Sequence, residues 1–512
     1  MFDIPEKRKK KKVKALLPEL EQELELLQHQ VRALGIPVII VLEGYDACGK
    51  GTVINHLIRP FDARGYVVHR ITEPTGMEKK YPYLWRFWTR MPASGQIAIF
   101  DRAWYSGVVE DWIDQDLSME EVNRTYRYIT SFEKLQTDRG AVLLKFFLAI
   151  SKKEQKARFA EMEKEDGRGW QITSRNWKHH EQFDQYSIVY NQLIQQTDYA
   201  DAPWHVVNAE EYESGLAQVM ECIVKVLRNK VAQAVEDRSR RNSLLEQRNL
   251  LSKEELFAFK LQELLDQQAG KRKPLTEVVL DQEMDYDSYK KKLKACQKKL
   301  LELHSRIHQA GIPVILVFEG WDASGKGGAI RRLTHCLDVR GFEVFSADKP
   351  TDAEKQHHYL WRFWKHMPRK GHITIFDRSW YSRVMDERVD GICTEQEWRK
   401  AYDEINEMEL QLSESGAIVL KFWMQIDKDT QMERFTERQN SIYKSWKMSE
   451  DDWKHREKWD LYEPAVNDML RKTDRDGAPW IIVESNNKYY ARIKVLTSVI
   501  EAFKRGLEST ER

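Results

Sequence analysis

The stretch Gly320 to Gly328, Gly-Trp-Asp-Ala-Ser-Gly-Lys-Gly-Gly, constrains this chain more than any other, because it follows the apolar, strand-like run Pro313 to Phe318. A glycine-rich loop between a buried strand and a helix can aim several backbone N–H groups at a phosphate. The helix N-terminus adds partial positive charge, and Lys326 adds a full one. Gly320, Gly325, Gly327 and Gly328, with Ala323 and Ser324 between them, form this candidate phosphate loop. The device occurs twice. Gly44 to Thr52, Gly-Tyr-Asp-Ala-Cys-Gly-Lys-Gly-Thr, follows the similar run Pro37 to Leu42. From these loops onward the copies align without a gap: Lys50 with Lys326, Phe100-Asp101-Arg102 with Phe376-Asp377-Arg378, and Ala202-Pro203-Trp204 with Ala478-Pro479-Trp480. A tandem duplication of a whole domain is expected, over residues 1–236 and 286–512, joined by a charged helical linker at 237–285.

A chain of 512 residues exceeds what one core usually organises, in keeping with two domains. The formal net charge of +1 excludes a globally basic nucleic-acid binder, so any polyanion site must be local. No apolar run approaches the ~20 residues of a membrane helix. The five cysteines show no metal-ligand spacing, and free thiols in a reducing cytoplasm are expected.

Apolar runs at Pro313–Phe318, Phe342–Ser346, Ile373–Phe376, Ala417–Met424 and Trp480–Glu484 alternate with longer helical patterns. That alternation predicts an α/β fold, a parallel sheet with crossover helices on both faces. A ligand on such a sheet lies beyond the carboxyl ends of the strands. Phe435 to Asp460, carrying Arg438, Lys444, Trp446, Lys447 and Trp453, reads as a basic helical lid.

The loop departs from the usual pattern at Gly327, where most such loops place a Ser or Thr that binds Mg²⁺. The metal then needs other anchors. Asp322 inside the loop and Asp377 at the end of an apolar run are the candidate ligands, and Arg378 follows directly. Arg383, Arg388, Lys421, Arg434, Arg438 and Lys447 supply further positive charge in the same copy. Spacing alone stops at a Mg²⁺-dependent phosphoryl transferase.

Gly-x-Asp-Ala-x-Gly-Lys-Gly-Gly, Phe-Asp-Arg-Ser-Trp-Tyr at Phe376 to Tyr381, Lys421-Phe422-Trp423, Glu433-Arg434-Phe435, Trp446-Lys447 and Ala478-Pro479-Trp480 together resemble the polyphosphate kinase 2 family, in its two-domain form. The resemblance implies a thymidylate-kinase-like P-loop fold and transfer of a phosphoryl group from inorganic polyphosphate to AMP, giving ADP. It further implies Lys326 and the loop at the transferring group, Asp322 and Asp377 on Mg²⁺, Arg378 on transition-state charge, and the lid cations with Arg383, Arg388, Lys421 and Arg434 on polyphosphate or nucleotide. ATP as donor and nucleoside diphosphates as acceptors remain open alternatives. No nucleic acid or membrane partner is expected.

Comparison of the copies adds an asymmetry. Opposite Arg331, Arg332, Lys349, Arg383, Arg388, Arg438, Lys447, Lys488 and Arg492 stand Asn55, His56, Glu73, Gly107, Trp112, Met162, Gln171, Tyr212 and Leu216, and Ala103 replaces Ser379. A charge-assisted phosphate contact contributes on the order of 1.5 kcal/mol or more when buried. The second copy is therefore expected to catalyse. The first is expected to be a silent packing partner, making a pseudo-dimer within one chain, with further oligomerisation open.

Overall fold

The computed structural model describes residues 10–115, 118–164, 172–248, 274–440 and 450–510. The chain forms two compact units: Met1–Thr75 with Arg86–Arg248 and Asp352–His358, and Gly76–Trp85 with Asn249–Thr351 and Tyr359–Arg512. The first unit carries β1 (Val38–Gly44), β2 (Tyr66–Arg70), β3 (Ile97–Asp101), β4 (Val142–Ala149) and β5 (Trp204–Asn208), in the order β2-β3-β1-β4-β5. The second carries β6 (Val314–Gly320), β7 (Phe342–Ser346), β8 (Ile373–Asp377), β9 (Ile418–Gln425) and β10 (Trp480–Glu484), in the same order, β7-β8-β6-β9-β10. All pairings are parallel. All five strands expected for the second copy form, each within two residues of its predicted bounds. β1 and β4 are buried along their whole length because helices cover both faces, whereas the edge strand β7 is mostly exposed.

Burial explains the outer helices of the second unit. Tyr286–Ala310 starts where the Asp285 side chain accepts the Ser288 N–H and stops at Gly311, whose φ of 68° suits glycine. Its Leu300, Leu303 and Ile307 and the Val495, Val499 and Phe503 face of Lys488–Thr510 close over Leu316 and Phe422 of the central strands. Of the expected linker, the part up to Arg248 continues the helix Tyr212–Arg248, and residues 249–273 lie outside the described residues. Among the described residues, no helix is long and apolar enough to cross a membrane.

The most buried charges are structural. Lys421 on β9, 0% exposed, donates to Glu409 Oε2 at 2.6 Å, to the Thr473 carbonyl at 2.6 Å and to Tyr381 Oη at 2.9 Å. Glu409 Oε1 in turn accepts from Trp380 Nε1 at 3.0 Å and Tyr381 Oη at 2.7 Å. Burial pushes the Lys421 ammonium down and Glu409 opposes that shift. Lys421, expected on polyphosphate or nucleotide, is thus placed inside the core with its donors on Glu409, Thr473 and Tyr381. Lys145 and Glu133 make the same pair in the first unit, at 2.9 Å.

Candidate active site

The phosphate loop of the second unit is shaped by backbone that few residues tolerate. Gly320 sits at φ 146°, and a Cβ there would lie 2.6 Å from the Met424 carbonyl oxygen, since β6 and β9 pair Gly320 with Met424. Gly320→Ala is accordingly expected to lower the melting temperature of the second unit and abolish turnover, checked by calorimetry and assay. Gly325, at φ 109°, opens the helix Lys326–Thr334 in the left-handed region. Ala323 and Arg378 hold left-handed φ values of 61° and 64° without being glycine, a strain on the order of 1–2 kcal/mol each that a functional site accounts for. Arg434 braces the loop from behind, donating to the carbonyls of Ala323 at 2.9 Å, Ser324 at 3.0 Å, Ser485 at 2.5 Å and Asn486 at 3.0 Å. Arg434, expected on the donor chain, is 5% exposed and lies against the loop backbone.

Inside the loop, Lys326 Nζ donates to the carbonyls of Gly320 at 2.6 Å and Trp321 at 3.2 Å, curled toward the place a phosphate would take. The Ser324 hydroxyl is buried and has no hydrogen-bond partner among the described residues. Trp321 stacks on Trp459 with centroids 3.6 Å apart and fixes the entry to the loop.

Asp322 is the centre of charge. Arg378 Nη2 donates to its Oδ1 at 2.8 Å and His455 Nδ1 to its Oδ2 at 2.7 Å. Burial opposes ionisation of Asp322, but the His455 hydrogen bond and the charges of Lys326 and Arg378 outweigh it and hold the carboxyl well below its usual range. Asp377 ends β8 beside Phe318 of β6, so the parallel register brings the strand-end aspartate and Arg378 to the loop. The structure thus brings together Asp322, Lys326, Asp377, Arg378 and the loop backbone. A small cavity lined by Glu319, Asp322, Arg378, Asp386, His455 and Tyr462 lies among them.

Glu319 is a further buried acid. Ser379 Oγ donates to it at 2.8 Å, yet burial pushes its carboxyl up to about 7 from an ordinary 4.5. The folded value exceeds the unfolded one, so its contribution to stability is complete below pH 4.5 and is lost as the pH rises through about 7. Glu319→Gln is expected to flatten this part of the pH–stability curve and raise the melting temperature at pH 8, as calorimetry at pH 5 and pH 8 would show.

The remaining expected cations divide. Arg388 is buried, donating to Tyr402 Oη at 3.0 Å and Asp468 at 3.2 Å, with its guanidinium 3.9 Å from the Trp398 ring centroid. Its ion pair with Asp468 lies 3% exposed on both sides. Arg383 pairs with Glu387 at 2.6 Å beside the Tyr359 ring. Arg438 is half-buried near the end of the helix Lys428–Gln439, on the side of the expected lid. Lys444, Trp446 and Lys447 lie outside the described residues. Glu319, Asp386 and His455 were not anticipated. The pairing of His179 with His455 at the constant offset between copies is the signal that could have found the last of them.

The first unit keeps the frame and closes it on itself. Lys50 donates to Gly44 at 2.9 Å and Tyr45 at 3.1 Å, and Asp46 accepts from Arg102 at 2.6 Å, His179 at 2.9 Å and Asn176 at 3.0 Å. Where the second copy has Lys349, Glu73 pairs with Arg175, which also reaches Glu110 at 3.3 Å. Arg102 is paired with Glu110 as well, at 3.0 Å, and Lys178 with Asp114 at 2.7 Å. Cations that could meet an anion are thus matched by carboxylates of the same unit.

The profile of the polyphosphate kinase 2 (PPK2) family matches residues 7–235 and 283–510, covering both repeats. The chain is 38% identical over 485 residues to a polyphosphate:AMP phosphotransferase of Pseudomonas aeruginosa, spanning 94% of this chain and 93% of that one. It is 31% identical to a polyphosphate:AMP phosphotransferase of Acinetobacter johnsonii, over 96% of this chain and 97% of the relative. A crystal structure described as a polyphosphate kinase 2 of Pseudomonas aeruginosa superposes with a TM-score of 0.82 at 33% identity, covering 99% of this chain and 98% of that one. With the same loop, the same sheet order and the same duplication on the page, the chain belongs to the polyphosphate kinase 2 family.

Proposed function

We propose that this chain is a polyphosphate:AMP phosphotransferase that works through its second repeat, moving a terminal phosphoryl group from inorganic polyphosphate to the 5′-phosphate of AMP and releasing ADP. One observation supports the division of labour above all others. The two loops are built alike, but where the second copy carries Lys349 the first carries Glu73, which pairs with Arg175, and Arg175 also reaches Glu110.

Phosphoryl transfer asks mainly for in-line positioning and neutralisation of charge spread over the transferred oxygens. Among the described residues Lys326 has only neutral carbonyls as hydrogen-bond partners, so its ammonium can turn to a phosphate at little electrostatic cost. Arg378 is half exposed and held toward the loop by Asp322, within reach of the same group. The AMP phosphate is already ionised at neutral pH, so its nucleophilic oxygen needs orientation more than deprotonation.

A hard divalent cation is commonly held by one or two carboxylates together with substrate phosphates. Asp322, Asp377 and the unpartnered Ser324 hydroxyl fit that role for Mg²⁺, and among the described residues no larger cluster of metal-binding side chains is assembled. When bound, Mg²⁺ would neutralise phosphate charge in the transfer. Following ADP formation from AMP with polyphosphate or ATP as donor tests the reading: polyphosphate should support turnover at least ~10²-fold better, and equal or better use of ATP would overturn it.

A further inference from the structure

We infer that His455 is a positioning residue for the transfer, holding one oxygen of Asp322 in place while the other is handed over during catalysis. This rests on the proposed role of the second repeat. Among the described residues Asp322 has two donors to its carboxylate, on different oxygens: Arg378 on Oδ1 at 2.8 Å and His455 Nδ1 on Oδ2 at 2.7 Å. A carboxylate can only accept, so Nδ1 carries the proton. Arg378 holds Oδ1 through one of its five N–H groups, and that donor must give way when Oδ1 meets a metal ion or the acceptor. Once it turns away, Asp322 depends on His455 to keep its rotamer, and Oδ1 becomes free for a metal ion or for the acceptor.

The helix Glu450–Glu457 that carries His455 lies within the expected lid segment, Phe435 to Asp460, so this hydrogen bond also ties that helix to the loop. A second tie runs from its Arg456 to Gln431 Oε1 at 3.0 Å, and Gln431 in turn donates to the Asp322 carbonyl at 3.1 Å. The first unit carries the same pair, His179 to Asp46 at 2.9 Å, but there Asn176 donates to Asp46 too, at 3.0 Å. Asp452 stands at the position of Asn176 in the second copy, and its carboxylate supplies no amide donor to Asp322 there.

Loss of a group that orients a ligating or reacting side chain typically lowers activity or metal affinity about 10–100-fold. The test compares His455→Ala, His455→Asn and His455→Gln in the full-length chain, because an Asn amide can stand where Nδ1 stands and a Gln amide reaches the place of Nε2. His455→Ala and His455→Gln should each lose roughly tenfold or more in kcat, with KM for polyphosphate within about twofold. His455→Asn should stay within about threefold of wild type, at unchanged melting temperature. Mn²⁺ binding in the presence of polyphosphate, followed by electron paramagnetic resonance, should weaken in the Ala variant and recover in the Asn variant. Retention of kcat in His455→Ala, a loss that Asn does not rescue, or equal rescue by Asn and Gln would each overturn the inference. Inactive wild-type enzyme with polyphosphate and AMP would instead overturn the functional reading on which it rests.

Discussion

Lys326→Met should abolish polyphosphate-dependent ADP formation, lowering kcat by about 10²–10³-fold or more while the protein keeps its fold. The methionine retains the methylenes that pack along the loop and removes only the ammonium. Its two hydrogen bonds go to the carbonyls of Gly320 and Trp321, which the surrounding water can satisfy once the ammonium is gone. A small stability change is therefore expected beside a large kinetic one. Burial already pushes the Lys326 ammonium down, with Arg378 reinforcing that shift and Asp322 opposing it. An anionic phosphate in the loop supplies the missing counter-charge, so the interaction strengthens as charge develops. Steady-state kinetics with AMP, alongside calorimetry of the same variant, separates the two effects.

Lys421→Met is expected to be the most destabilising single change in the second unit, and to act without touching the substrate. The substitution leaves Glu409 with its charge buried and its Lys421 counter-ion gone, 1% exposed at the side chain. Removing one partner of such a pair costs about 3–5 kcal/mol, whereas replacing the pair as a whole is far milder. Calorimetry should show the transition of the second unit falling by roughly 10 °C or more. Lys421→Met/Glu409→Gln should recover part of that loss, since no charge then remains buried, although the hydrogen bonds from Trp380 and Tyr381 will be weaker. Retention of the wild-type melting temperature by the single variant would contradict the structural role given to the pair.

The fold was legible because its signals are local. Strand-length apolar runs, glycine stops and the repeated loop each depend on neighbours in sequence, and every strand expected in the second copy is present. The meeting of Asp322, Lys326 and Arg378 was legible for the same reason: a loop after β6 and the end of β8 must converge in a parallel sheet. The roles of the cations were not. Lys421 and Arg434 lie close to the expected site in sequence, but the pleat of β9 turns Lys421 into the core and the helix Lys428–Gln439 turns Arg434 under the loop. A lone lysine within Ile418–Gln425, otherwise almost entirely apolar, was the overlooked clue to a buried ion pair. His455 and Glu319 become meaningful only through partners distant in sequence, Asp322 and Ser379.

Asymmetry between two loops of nearly equal sequence is the central claim, and the kinetics of Lys50→Met test it most directly. Lys50 donates to the two equivalent loop carbonyls, and to Cys48 Sγ at 3.6 Å besides, so the two substitutions are closely matched. With polyphosphate and AMP saturating, Lys50→Met should retain at least about half of the wild-type kcat, set against the loss of two or more orders of magnitude in Lys326→Met. A fall in Lys50→Met equal to that of Lys326→Met would contradict the account and make both repeats catalytic.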